Sequence, residues 1–390
     1  MTVTEDIKYV GVNDHDIDLF EGQFVVPLGM AYNSYLVKDE KVLVFDTVDA
    51  RFGDEWLANI KKEIGDAPVD YLVVQHMEPD HSANIARFAS EYPAATIVAS
   101  AQAFAMIKSY FGTDYAERRI VVKEGDTLST GRHEFTFVAA PMVHWPEVIV
   151  TYDTTAKVLF SADGFGKFGA NDREDPEGWD CEARRYYFGI VGKFGGQVQA
   201  LLKKASALDI KTICPLHGPV LKTPEEIAHV VKQYSTWSSY AVETPGGVLV
   251  AYTSVYGHTK EAALKLVDIL KAKGCPKVAV ADLARDDQPE TIEDAFRYGK
   301  VVLATTTYNM DIFPWMRHSI WHLVERNYQS RKIGLIENGS WAPAAAKVMK
   351  GMFANSKDIS FCDTVVTIRG ALDAASEAKL SQLADEILAD

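Results

Sequence analysis

The chain is poor in cysteine, and none of its cysteines are close in sequence. Cys181, Cys214, Cys275 and Cys362 stand far apart in 390 residues, with no C-x-x-C spacing. That argues against a zinc ribbon, a rubredoxin-type iron centre or a thiolate-held cluster. It predicts free thiols in a reducing compartment. No apolar run reaches the roughly 18 residues that a membrane helix requires. The opening MTVTEDIKYV has no basic-then-apolar leader pattern, so a cytoplasmic protein is expected. Positive charge is also short: 40 Lys and Arg face 54 Asp and Glu, a formal net charge of -14. A nucleic-acid partner, which needs a basic stripe, is not expected, nor is a membrane. The lysine of G-x-x-x-x-G-K-[ST] is missing, and so are the glycines of G-x-G-x-x-G. An NTPase reading fails, and a dinucleotide reading is weak.

What is present points to two domains, since 390 residues exceed one ordinary core. The clearest seam is ETPGG, Glu243 to Gly247, where proline and two glycines are expected to break regular structure. It follows an amphipathic helical stretch, Pro224 to Tyr240, and precedes the apolar segment VLVAY. The predicted domains are 1–245 and 246–390. Before the seam, short strand candidates dominate: YNSYLV, KVLVFD, YLVVQ, TIVAS, FTFVAA, VIVTY, KVLFSAD and KTICPL. Helices such as FGDEWLANIKKEI and QAFAMIKSYF lie among them. Two sheets flanked by helices, an α+β arrangement, are expected there. After the seam, five apolar strands alternate with five helices, which predicts an α/β, doubly wound parallel sheet.

Seven residues carry the chemistry of the first half. His76, Glu78, Asp80 and His81 lie in the run HMEPDH, directly after the strand YLVVQ. His144, Asp163 and His217 each follow another apolar segment. A lone histidine after a strand is most simply a hydrogen-bonded core residue. Four imidazoles and three carboxylates gathered at strand ends form a donor set for two metal ions.

In the second half, VLVAYTSVYGHTKEA reads as strand, hydroxyl-rich turn and helix start. Thr253, Ser254 and Thr259 offer hydroxyls, Gly257 allows close backbone approach, and the helix start favours a phosphate. Val255, Tyr256 and His258 complete the turn, with His258 expected to face solvent. Two later loops leave the same end of the sheet. One is TTTYNMDIFPW, with Thr305, Thr306, Thr307, Tyr308, Asn309, Asp311, Ile312 and Phe313. The other is ENGSWAP, with Asn338, Gly339, Ser340, Trp341 and Ala342. A doubly wound sheet binds its ligand at those strand ends.

The T-S-x-Y-G-x-T turn resembles the FMN phosphate loop of flavodoxins, and the two later loops fall where that fold holds its flavin. Tyr308 and Trp341 are then expected to pack on the isoalloxazine ring, with backbone near Asn309 at its polar edge. The metal constellation resembles that of the metallo-β-lactamase superfamily, H-x-H-x-D-H followed by His, Asp and His, with one departure. Glu78 stands at the second histidine, and a donor set of carboxylates and imidazoles suits iron. HMEPDHS, PMVHWPE and SADGFGKFG are similar to the flavodiiron proteins, and the resemblance extends over essentially the whole chain. It implies a metallo-β-lactamase-like domain followed by a flavodoxin-like one, in the minimal two-domain form.

On that resemblance His76, Glu78 and His144 take one iron, Asp80, His81 and His217 the other, and Asp163 bridges them. No catalytic side chain beyond these ligands is expected. The resemblance further implies FMN, reduction of O2 to water or of NO to N2O, and an external electron donor. That donor could be rubredoxin, another small carrier or a reduced deazaflavin. A head-to-tail homodimer or homotetramer is implied as well. Tyr186, Tyr187, His15 and Trp145 are expected near the metals in packing roles. Two other classes compete: a dizinc hydrolase with a redox-silent flavin appendage, and a gas sensor or electron carrier without turnover.

Overall fold

The computed structural model describes residues 3–389, which divide into two compact units. One unit runs to Tyr187 and includes Gly196–Ser235. The other comprises Phe188–Gly195 and the chain from Thr236 onward.

The first unit is built on two sheets. The first sheet is ordered Ile7–Tyr9, Tyr35–Val37, Leu43–Phe45, Tyr71–Val74, Thr96–Ser100, Arg119–Val122. The second is ordered Thr127–Ser129, Glu134–Ala139, Ile149–Asp153, Val158–Phe160, Thr212–Cys214. Side chains from both meet in one core that includes Tyr35, Phe45, Val73, Val98, Phe135, Phe137 and Phe160. Phe45 and Phe160 stack across it with ring centroids 3.9 Å apart. The central strands are buried on both faces, so they read as unbroken apolar runs instead of alternating ones. Helix Ala101–Phe111 begins with Ser100 capping the Ala103 amide and stops at Gly112, which takes the left-handed conformation at φ 74°. All eight strand candidates of this half form strands. The short pieces between Ile7 and Tyr32 carry too few residues to show a period.

The second unit is a parallel sheet ordered Val278–Asp282, Thr244–Tyr252, Tyr298–Tyr308, Arg331–Asn338, Ile359–Ile368. The α/β expectation and the α+β expectation for the other unit both hold. Helices His258–Ala272 and Ala374–Leu388 pack together on a core of Val250, Ala263, Leu266, Val302 and Leu383. The chain order reverses beside Thr244–Tyr252, and a ligand crevice opens there at the strand ends.

Two expectations need correction. The ETPGG segment does not break regular structure, because Thr244–Tyr252 is one strand. Its register shifts between Thr244 and Val248, and that bulge accommodates Pro245 without a ladder bond. A Cβ at Gly247 would come within 2.3 Å of the Tyr298 ring, so glycine serves close packing there. Likewise Thr305–Tyr308 is not a loop. It ends the strand Tyr298–Tyr308, and its last two residues, Thr307 and Tyr308, pair antiparallel with Asp311–Ile312. Asn309 and Met310 form the turn, at φ 52° and 61°, as a two-residue hairpin of this hand requires. Among the described residues no helix is long and apolar enough to cross a membrane.

Candidate functional site

Strand Tyr71–Val74 ends just before His76, and Pro79 starts a single helical turn, Pro79–Ser82. The turn projects Asp80 and His81 inward from buried positions. Asp46, fully buried, accepts from the Gln75 amide at 2.7 Å and the His76 amide at 3.3 Å, which fixes where the run begins. Burial pushes the Asp46 carboxyl up to about 6, against the pull of His81 and these amides.

The structure brings all seven residues together as two donor groups: His76, Glu78, His144 and Asp163, and Asp80, His81 and His217. In the first, Glu78 Oε2 lies 3.3 Å from His76 Nε2 and 3.0 Å from His144 Nε2, and the two Nε2 atoms are 3.3 Å apart. In the second, His81 and His217 face each other through Nε2 atoms at 3.0 Å, each 3.3 Å from Asp80 Oδ2. Asp163 spans both. Its Oδ2 is 3.1 Å from His144 and 3.5 Å from His76, and its Oδ1 is 3.4 Å from His81 and 4.0 Å from His217.

These spacings fit metal ions. Donors held about 2.1 Å from a first-row metal are separated by about 3.0 Å in an octahedron and about 3.4 Å in a tetrahedron. Both oxygens of Asp80 and both of Asp163 are buried without a hydrogen-bond partner among the described residues, a costly state for a carboxylate with no cation. Each group contains two histidines and a carboxylate of its own, the donor set of non-haem iron. Two of the outward nitrogens are held too. His76 Nδ1 meets Glu147 Oε1 at 2.9 Å, and His217 Nδ1 meets the Ala31 carbonyl at 2.7 Å.

Charge is balanced internally. Burial opposes charge on His76, but Asp163, Glu147 and Glu78 outweigh it and hold its pKa well above the histidine norm. Burial likewise opposes charge on His144, yet Asp163 and Glu78 push it up to about 9. Burial would raise Asp163, and the surrounding imidazoles instead hold it well below the carboxylate range. Burial, with Glu78 and Asp163 nearby, pushes Asp80 up to about 7 despite His81. Protons thus occupy positions that metals would take, and metal binding releases them.

Around the donors, the Trp145 ring lies 5.3 Å from His76, and the Tyr186 ring lies 5.5 Å from His217. The Tyr186 hydroxyl is buried without a partner among the described residues. Tyr187 packs edge-on against Tyr234, while His15 is exposed and pairs with Asp172 at 2.8 Å. Sequence reasoning missed Glu147 and Asn33. Asn33 Nδ2 donates to the carbonyls of Pro215 at 2.8 Å and Gly218 at 2.7 Å, clamping the loop of His217.

The crevice of the second unit encloses about 280 Å³, near the lower end for ligand pockets. Thirteen of the expected contacts line it: Ser254, Val255, Tyr256, His258, Thr259, Thr306, Thr307, Asn309, Asn338, Gly339, Ser340, Trp341 and Ala342. Gly257, at φ 102°, caps helix His258–Ala272 and donates to Ser254 Oγ at 3.1 Å. Met310, Ala344 and Gly370 also line it and carried no sequence signal. Thr253 and Thr305 do not line it, because their hydroxyls bond each other at 2.6 Å inside the sheet. Tyr308 turns instead to a neighbouring surface groove with Asp311 and Ile312, and Phe313 packs edge-on against its ring. Trp341 alone of the two aromatics stands at the crevice. Hydroxyls, a helix N-terminus and a flat aromatic make the lining suitable for a flavin mononucleotide.

Residues 30–218 match the family described as ODP family beta lactamase. A Moorella thermoacetica protein named nitric oxide reductase is 29% identical over 360 residues, spanning 90% of this chain and 88% of that one. The solved structure of rubredoxin oxygen:oxidoreductase from Desulfovibrio gigas superposes with a TM-score of 0.93 at 25% identity, covering 100% of this chain and 97% of that one. The flavodiiron protein of Giardia intestinalis shares the fold, with a TM-score of 0.91 at 23% identity over 99% of this chain and 95% of its own.

Proposed function

We infer that this chain, a flavodiiron protein in the build of both its halves, is an oxidoreductase that reduces O2 to water, NO to N2O, or both. The observation that carries the reading is one chain bearing both a two-group donor site joined by Asp163 and a flavin-sized crevice at a sheet's switch point. When bound, the flavin supplies two electrons and a diiron pair two more, enough with four protons to convert O2 to two waters, or with two of each to join two NO as N2O and water.

The chain's own groups do the rest. His76, Glu78 and His144 would hold one iron and Asp80, His81 and His217 the other, with Asp163 as a donor shared between the two groups. Glu147 and the Ala31 carbonyl turn two imidazoles so that their Nε2 lone pairs face inward. Trp145 and Tyr186 flank the donors, and the Tyr186 hydroxyl, buried without a partner among the described residues, is the group we assign to donate to an oxygen of the substrate. In the other unit, Ser254, Thr259 and the start of helix His258–Ala272 would receive the phosphate of a bound flavin, and Trp341 would lie against its ring. Electrons come from an external carrier such as rubredoxin. A head-to-tail homodimer or homotetramer in the cytoplasm completes the reading, and it fails if a dilute monomer keeps full turnover.

The test is anaerobic turnover of protein loaded with iron and FMN, using reduced rubredoxin and an artificial donor. O2 or NO is added in known doses and its loss followed by electrode. Rapid loss yielding water or N2O is expected. Two irons and one flavin per chain with no loss under either donor would indicate a sensor or carrier. Zinc with esterase activity would indicate a hydrolase.

A further inference from the structure

The turn that carries Asp163 has a second cavity behind it. Strand Val158–Phe160 sends Phe160 into the sandwich core, and Leu159 lines a separate space on the far side. The inner wall of that space is Val150, Leu159 and Phe165, all buried. The outer wall is the half-buried Leu201, Leu202, Ala205 and Leu208. Ser161 brings the one hydroxyl, and its Oγ donates to the Gly164 carbonyl at 2.7 Å, so it is not left to solvate the space. About 20 Å³ is open to a water-sized sphere. One diatomic molecule fits such a volume, and apolar cavities stay dry and take up apolar gases.

The backbone beside Asp163 is strained on both sides. Ala162 has φ 49° and Phe165 has φ 66°. For a bulky residue this conformation is a rare outlier, costing on the order of 1–3 kcal/mol, and such strain persists only when the surroundings enforce it. Here it aims the Asp163 carboxylate at the imidazoles. It also places the Phe165 ring on the cavity wall, 4.6 Å from the Tyr234 ring by centroids.

We propose that this cavity holds a small apolar diatomic gas, the substrate of the adjoining metal centre, with Phe165 as the partition between them. The inference rests on the gas-reductase reading above. Such gases leave water for apolar surroundings, as apolar solutes do, whereas water finds no partner there. The half-buried outer wall is the entry, and the buried inner wall abuts the Asp163 turn.

Crystals of the holoprotein pressurised with krypton test it. One krypton atom is expected between Leu159, Phe165 and Leu201. Ala205→Phe puts a ring into the outer mouth; krypton should be lost, and KM for the gas should rise severalfold with kcat unchanged. Leu201→Phe is the second filling variant should the first fold poorly, and Lys203→Ala, exposed on the same helix and outside the lining, should keep both krypton and KM. An empty cavity under krypton overturns the inference, as does an unchanged KM in a folded variant that has lost krypton. Krypton is read without turnover, so occupancy in a protein that consumes neither gas overturns the reductase reading itself.

Discussion

Glu147 is the support whose removal should separate the two metals. It is fully buried, and its Oε1 accepts from His76 Nδ1 at 2.9 Å and from the Met77 amide at 2.8 Å. Glu147→Ala strands both donors. Each buried donor left without an acceptor costs about 1–3 kcal/mol, so unfolding stability should fall by roughly 2–6 kcal/mol before relaxation. The metal effect is smaller and more specific. Loss of such a support beneath a ligating histidine weakens metal binding by about 10–100-fold, or about 1.4–2.7 kcal/mol. Only the group of His76, Glu78 and His144 should feel it, because His217 is held from the Ala31 carbonyl. Anaerobic Fe(II) titration against a competing chelator should show one site weakened and the other unchanged. Glu147→Gln keeps the accepting oxygen and should recover most of the affinity. Equal weakening of both sites in the alanine variant, or of neither, would refute the argument.

Other outcomes follow from the same geometry. Asn33→Ala removes two buried hydrogen bonds to the His217 loop; it should cost about 2 kcal/mol in urea unfolding and weaken the Asp80, His81 and His217 site alone. Tyr186→Phe deletes a buried hydroxyl that has no partner among the described residues, so stability should hold or rise by up to about 1 kcal/mol while turnover falls. An unchanged kcat would leave Tyr186 a packing residue only. Gly257→Ala meets no atom within 4 Å, so its cost is the backbone alone at φ 102°. That strain, about 1–2 kcal/mol, should loosen FMN by about tenfold in a fluorescence titration. His133 hydrogen-bonds Asp153 at 2.6 Å, and that bond raises its pKa above the usual value. The stabilisation is complete below the unfolded value near 6.5 and is lost as pH climbs through the raised one. As pH rises from about 6.5 through the raised value, the wild type should therefore lose stability relative to His133→Gln, and parallel profiles would contradict the assignment.

The donor residues were legible because each follows an apolar strand, and the strand itself announces where the donor will be. Glu147 and Asn33 had no such signal. Glu147 is one acid in a turn after Pro146, and Asn33 sits between two short strands; only the folded chain brings them to the histidines. The flavin half was legible in its alternation and less so at its edges. Threonines suit strands, and Thr305–Tyr308 extends one that the apolar pattern seemed to end. Thr253 looked like a phosphate hydroxyl but spends its bond on Thr305, a pairing across neighbouring strands that no spacing displays. Pro245 and its glycines resemble a break, yet a bulge absorbs them.

The order of the donors along the chain bears on biosynthesis. Every donor of the group containing Glu78 lies at or before Asp163, while the other group waits for His217. During translation at about 5–20 residues per second, the first set is complete several seconds before the second can close. A nascent chain therefore passes through a stage able to take one ion and not two. An ion captured then would order the Asp163 turn ahead of that unit's last strand, Thr212–Cys214, which pairs beside Val158–Phe160. If the pair is iron, as proposed above, its supply during synthesis, and not only after it, becomes a variable in how much of the protein ends up with a complete pair.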